Sequence, residues 1–138
     1  MSTRATYQFT HPDQDSITVY KHPDGYPEGA LRWITNTVVD LVSYGEMVSD
    51  NLRYALYPET LAHAFMRANK EHGFMEITPS AEEHADTEYH YMVTSYFTVL
   101  VFGKTGSEKH PNTLLFEGTL AKATERWTNT NNNWAINP

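Results

Sequence analysis

The chain has no cysteine in its 138 residues. That removes disulfide frameworks, thiolate metal sites and cysteine nucleophiles, and it fits a reducing compartment. No apolar run approaches the ~20 residues that span a bilayer. No basic start leads into an apolar stretch, so no secretory signal is read. A soluble, cytoplasmic protein is the expectation, in the host-cell cytoplasm if a phage encodes it. Positive charge is scarce: ten Lys and Arg stand against seventeen Asp and Glu, a net charge of −7. Nucleic-acid binding draws its affinity from cationic contacts to phosphate, so neither nucleic acid nor membrane is an expected direct partner, whereas a basic protein is. Also missing are a Gly-x-Ser-x-Gly elbow, a phosphate loop and a dinucleotide fingerprint. No cofactor is implied.

What the chain does have is aromatic mass, with nine Tyr, six Phe and three Trp. Hydrophobic residues make up 40%, enough for one packed domain without staples. Alternation over residues 5–9 and 17–20, around His11-Pro12-Asp13-Gln14-Asp15, predicts an N-terminal hairpin. The punctuated stretch 22–29 leads into a helix over residues 28–44. Its stripe is Leu31, Ile34, Val38, Leu41 and Val42, with Trp33 and Thr37 on the flank and Gly45 as the stop. Residues 46–57 read as a short helix or an ordered loop. Pro58-Glu59-Thr60 opens a second helix, with Leu61, Ala64, Phe65 and Ala68 on one face. A short strand over 74–78 and a polar loop over 79–86 precede the strongest β signal, residues 87–103. There Tyr89, Tyr91 and Val93 alternate with Glu88, His90 and Met92, and residues 96–102 read as a buried strand paired through a turn at Thr94-Ser95. An exposed loop over 104–112, an edge strand over 113–116, a helix over 118–127 and a fraying tail over 128–138 complete the chain. The fold class is α+β: a mostly antiparallel sheet with two main helices packed on one face.

Three groups of residues are candidates for chemistry. In an extended chain, His84, Asp86, Glu88 and His90 share one face, as a divalent metal site would require. Successive positions on that face lie ~6–7 Å apart, so two neighbours can share an ion but four in a row cannot; a solvated strand face is the plainer account. The loop 22–29, with Asp24, Tyr26 and Glu28, feeds a helix N-terminus, where anions bind. Its two acids oppose an anion, and a strand-to-helix connector explains the same residues. Tyr20, Tyr26, Arg32, Trp33, Arg53, Tyr54 and Arg67 are the residue types that anchor interfaces and ligands, or they edge the core. Glu88 and Tyr89 join Asp24, Tyr26, Glu28, Arg32, Trp33 and Arg67 as candidate binding residues.

Two segments carry a resemblance. Tyr20-Lys21-His22-Pro23-Asp24-Gly25-Tyr26-Pro27 resembles the Tyr-x-His-Trp-Asp-Gly-Tyr-Pro signature of a group of small uncharacterised bacterial and phage proteins. Leu61-Ala62-x-Ala64-Phe65-Met66-Arg67-Ala68-Asn69, followed by His84 and by Asp86-Thr87-Glu88-Tyr89-x-Tyr91, resembles a second block of that group. Pro23 stands where the group has Trp, and His90 where it often has Arg. The resemblance implies a phage or prophage context, in which small acidic proteins commonly act by binding a host factor. The leading expectation is a non-enzymatic protein that inhibits a host defence effector, such as a CRISPR-Cas surveillance complex, through an acidic, tyrosine-rich surface. The alternatives are a pocket protein that sequesters a nucleotide with Tyr and Arg32, Arg53 or Arg67; a metal-dependent enzyme using His84, Asp86, Glu88 and His90; and an accessory protein acting as a homodimer.

Overall fold

The computed structural model of the chain describes residues 3–45 and 56–130. Its strands are β1 (Arg4–Phe9), β2 (Ile17–Lys21), β3 (Met75–Thr78), β4 (Thr87–Val93), β5 (Thr98–Gly103) and β6 (Thr113–Thr119). Its helices are α1 (Pro27–Ser43), α2 (Pro58–Ala68) and α3 (Leu120–Thr130), with a 3-10 turn at Ala81–Glu83. The strands form one sheet in the order β3-β2-β1-β4-β5-β6. Every neighbouring pair is antiparallel except β1 with β4, which is parallel. The α+β expectation therefore holds, with a third helix beside the two main ones. No helix among the described residues is long and apolar enough to cross a membrane.

Both main helices open on the same tripeptide, Tyr26-Pro27-Glu28 and Tyr57-Pro58-Glu59. The tyrosine is extended, proline holds the first helical φ without wasting an N–H, and glutamate meets the positive end of the helix dipole. Gly45 ends α1 at φ 71°, its N–H on the Val42 carbonyl at 3.1 Å. The stretch 46–55, read as a short helix or loop, and with it the candidates Arg53 and Tyr54, lies outside the described residues, as do residues 131–138 of the expected tail. The first part of that tail continues α3 to Thr130.

One face of the sheet is the core. Ala5, Tyr7 and Phe9 of β1, Val19 of β2, Tyr91 and Val93 of β4, and Val99 and Val101 of β5 are fully buried against Ala30 and Ile34 of α1, Leu61 and Phe65 of α2, and Ala123 of α3. The α1 stripe differs from the expected one. Trp33 and Thr37, placed on the flank, are buried, while Val42 is exposed. The reason is α2. The buried Asn69 at its C-terminal end donates to the Trp33 carbonyl at 3.1 Å and accepts from Asn36 at 3.0 Å, which draws the Trp33 side of α1 inward. The hairpin after β4 also turns later than expected. Phe97 sits at φ 60° with its N–H on the Thr94 carbonyl, and the strand resumes at Thr98. Tyr96 is exposed in that turn, while Phe97 drops its ring into the core. Core burial holds Phe97 in a left-handed conformation that its side chain disfavours.

Tyr7 and Tyr91 lie side by side on β1 and β4, their rings stacked at 5.2 Å. The Tyr91 hydroxyl donates to the Gly25 carbonyl at 2.5 Å, whereas the equally buried Tyr7 hydroxyl has no partner among the described residues. A buried hydroxyl without a partner costs about 1–3 kcal/mol, and so does stranding a carbonyl by deleting its donor. The two Tyr→Phe substitutions are thus expected to act in opposite directions. Tyr91→Phe should destabilise by about 1–3 kcal/mol and Tyr7→Phe should be neutral or stabilising, both read from chemical denaturation.

Candidate functional site

The other face of the sheet carries the residues that alternate with the core: Thr6 and Gln8 of β1, Thr18 and Tyr20 of β2, His90 and Met92 of β4, Phe102 of β5. Two polar assemblies stand on it. At one end Tyr20 is buried beneath His84, the rings parallel at 3.6 Å. Its hydroxyl donates to both carboxylate oxygens of Asp86, at 3.0 and 3.1 Å, and Arg4 completes the group with Nε 3.3 Å from Asp86. Burial, with the Asp86 contact second, pushes the Tyr20 phenol up to about 12, so it stays protonated.

In the middle of the face lies His90. Its Nε2 is 3.0 Å from Gln8 Oε1 and its Nδ1 is 2.7 Å from Thr6 Oγ1. A carbonyl oxygen only accepts, so Nε2 carries the proton and Nδ1 accepts from the threonine hydroxyl. Gln8 passes the chain on, its amide donating to Ser16 Oγ at 3.0 Å. Burial holds His90 down at about 4, and the nearby Glu82 only partly offsets this. With both nitrogens engaged, His90 is a neutral structural ring and not a free base. Around it, loops 79–82 and 110–112 rise as walls and enclose a cavity of about 270 Å³.

The candidate metal ligands do not converge. Strand β4 begins only at Thr87, so residues 84–86 turn away instead of extending the face. His84 stacks on Tyr20 with Nε2 3.6 Å from Glu76, Asp86 holds Tyr20 and Arg4, Glu88 reaches Lys104 at 3.5 Å, and His90 is committed to Thr6 and Gln8. Among the described residues no three His, Asp or Glu side chains are gathered as a metal would need.

The turn at residues 22–29 is held by bonds to its neighbours. Asp24 takes φ 57°, its carbonyl receives the Trp33 indole N–H at 3.3 Å, and the Gly25 N–H meets the Thr3 carbonyl at 2.7 Å. A Cβ on Gly29 would overlap the Asp24 carbonyl oxygen, which is why glycine stands there. Tyr26 bonds to Asp24, and Glu28 sits half-buried in the first turn of α1. Arg32 is exposed, its guanidinium 5.7 Å from the Trp33 ring centre. Arg67 clasps Asp40 through Nε at 2.9 and 3.1 Å and lies over Tyr44 at 4.1 Å. Arg32 lines a cleft with Leu31, Asn36 and Trp127, whereas Arg67 is engaged with Asp40 and Tyr44. Tyr89 is half-buried against Tyr91 at 6.2 Å. Tyr7 and Tyr91 are core residues, Tyr20 is buried beneath His84 on the outer face, and the exposed Tyr44, Tyr57 and Tyr96 stand at the end of α1, before α2 and in the β4–β5 turn. The described tyrosines thus do not form one surface.

Sequence reasoning missed Lys21. It is fully buried, donates to the His72 carbonyl and lies 4.5 Å from the Trp33 ring centre. Its place at the end of a β2 strand that alternates Ile17, Val19, Lys21 was the available signal. The residues around His90 were missed as well. The Thr6/Gln8 alternation in β1 marks that face, but only pairing with β4 brings the histidine to it. No family model, curated protein or solved structure matches the chain.

These shifted groups set the pH response. Burial lowers the Lys21 amine from 10.5 to about 8. The folded state then binds the proton more weakly than the unfolded one, and this contribution to stability rises with pH from about 8 toward 10. Above that, buried tyrosines whose phenols are raised oppose the trend, because the unfolded chain ionises first. Melting curves between pH 8 and 10 should show the rise in the wild type and lose it in Lys21→Met. For His90 the folded ring stays neutral while the unfolded ring protonates, so stability falls as pH drops from 6.5 toward 4. Side-chain ¹⁵N NMR should find the Nε2–H tautomer persisting to about pH 4.

Proposed function

We propose that the protein is a non-enzymatic binding protein that occupies a basic protein partner, in the manner of a phage- or prophage-type inhibitor of a host defence effector. The observation that carries this reading is the margin of the molecule from residue 71 to residue 88. It holds six acids (Glu71, Glu76, Glu82, Glu83, Asp86 and Glu88) and no Lys or Arg. Arg4 and Lys104 approach Asp86 and Glu88, while Glu71, Glu82 and Glu83 form no ion pair with the described residues. The same margin contains β3, an end strand of the sheet, with Phe74 53% and Ile77 61% exposed.

Acidic side chains around an edge strand steer a basic partner and set its orientation. The β3 edge, unpaired among the described residues, and the two apolar side chains give that partner something to hold. No bond needs to be made or broken, only a surface covered. A partner that itself handles nucleic acid, such as a CRISPR-Cas surveillance complex, presents the basic surface this margin fits.

The test is affinity capture from a bacterial lysate with active CRISPR-Cas immunity, with a plaque assay for interference run alongside. The wild type should retain a basic protein or complex, release it as salt rises, and restore phage growth. Glu76→Lys/Glu83→Lys, both at exposed positions, should lose capture and restoration with an unchanged melting temperature. Retention that ignores the double substitution, or no specific partner at all, would refute the proposal.

A further inference from the structure

The cavity beside His90 has a chemical bias of its own. Its floor is the neutral His90–Gln8 pair, with Met92 and the Phe102 ring next to it, and Glu82 stands in one wall. At about 270 Å³ it is just below the range of drug-sized pockets, so it suits a small molecule. Glu82 is the one carboxylate lining it, and no Lys or Arg does.

We propose that this cavity binds a small organic cation, an amine or ammonium group carried on a compact apolar body, with Glu82 as the counter-charge and Phe102 and Met92 as the apolar seat. The polar order of the floor supports this. The proton chain runs from Thr6 to His90 to Gln8 to Ser16, and both imidazole nitrogens are used within it. The His90–Gln8 floor therefore offers no cation to a phosphate or carboxylate, and the walls add one further imidazole, His110, whose buried Nδ1 has no hydrogen-bond partner among the described residues. Across floor and walls the cavity also presents the Ser16 and Thr18 hydroxyls and the Glu82 carboxylate, which can accept from N–H groups. An aromatic face and a thioether beside a carboxylate are the usual surroundings of a bound ammonium. A nucleotide is disfavoured here by charge. The inference does not rest on the protein-partner reading, because Glu76 and Glu83, which test that reading, do not line the cavity.

Three probes of one shape and different charge decide the matter: 2-phenylethylamine, 2-phenylethanol and phenylacetate, each titrated into the full chain and followed by NMR. The amine is expected to move the resonances of Gln8, His90 and Phe102 saturably, to bind more tightly than the alcohol, and to leave phenylacetate weakest. Glu82 is exposed, so Glu82→Gln keeps the fold. It should lower amine affinity roughly two- to fivefold, the value of an exposed ion pair, and leave the alcohol unchanged. Phenylacetate binding as tightly as the amine, amine and alcohol binding equally to the wild type, or no response at those three residues would each overturn the proposal.

Discussion

The parallel pairing of β1 with β4 is the constraint on which the rest of the structure depends. It sets Tyr7 against Tyr91 and Thr6 against His90, residues 84 positions apart in each case. On the core side it produces the stacked tyrosine pair, extended by Phe65 of α2 at 4.6 Å from the Tyr7 ring. On the outer side it produces the Thr6–His90–Gln8 chain. A single register therefore organises both faces of the sheet. A slip of one residue would exchange them, putting threonine and histidine into the core and tyrosine into water.

The loop before α1 is tied to the same pairing. Tyr91 reaches across to the Gly25 carbonyl, and Trp33 caps the carbonyl of Asp24. Asp24 can hold its left-handed backbone because the surrounding groups over-determine it. Lys21, one strand over, lies on the Trp33 ring. The most punctuated stretch of the sequence is thereby a structural clamp. The acidic edge at β3 and the cavity beside His90 are built from other residues.

Much of the fold was legible before the structure. The hairpin of residues 5–9 and 17–20, both main helices and the β signal over residues 87–103 rest on local periodicity, which the tertiary structure keeps. Less of the candidate site was legible. His90 stood out as one of four polar residues in alternation, and that alternation suggested a metal. The chain breaks the pattern at residues 84–86 because Tyr20 recruits both His84 and Asp86, a preference set by a residue 64 and 66 positions away. Trp33 looked like a flank residue for a comparable reason: helical periodicity gives the direction of a stripe, and the width of the stripe is decided by the neighbouring helix, here through Asn69.

By itself, the sequence determined the inventory and the local rhythm: no thiols, an excess of acid, strands of period two, and helices opened by Tyr-Pro-Glu. These properties act over a few residues or through composition, so no other part of the chain needs to be known. Only the tertiary structure decided which tyrosines sink into the core and which meet water, that a lysine is buried against tryptophan, and that a histidine on β4 is held neutral by a threonine and a glutamine on β1. Each of these is an energy of desolvation or hydrogen bonding between distant residues, and it exists only once the strands that carry them have found their register.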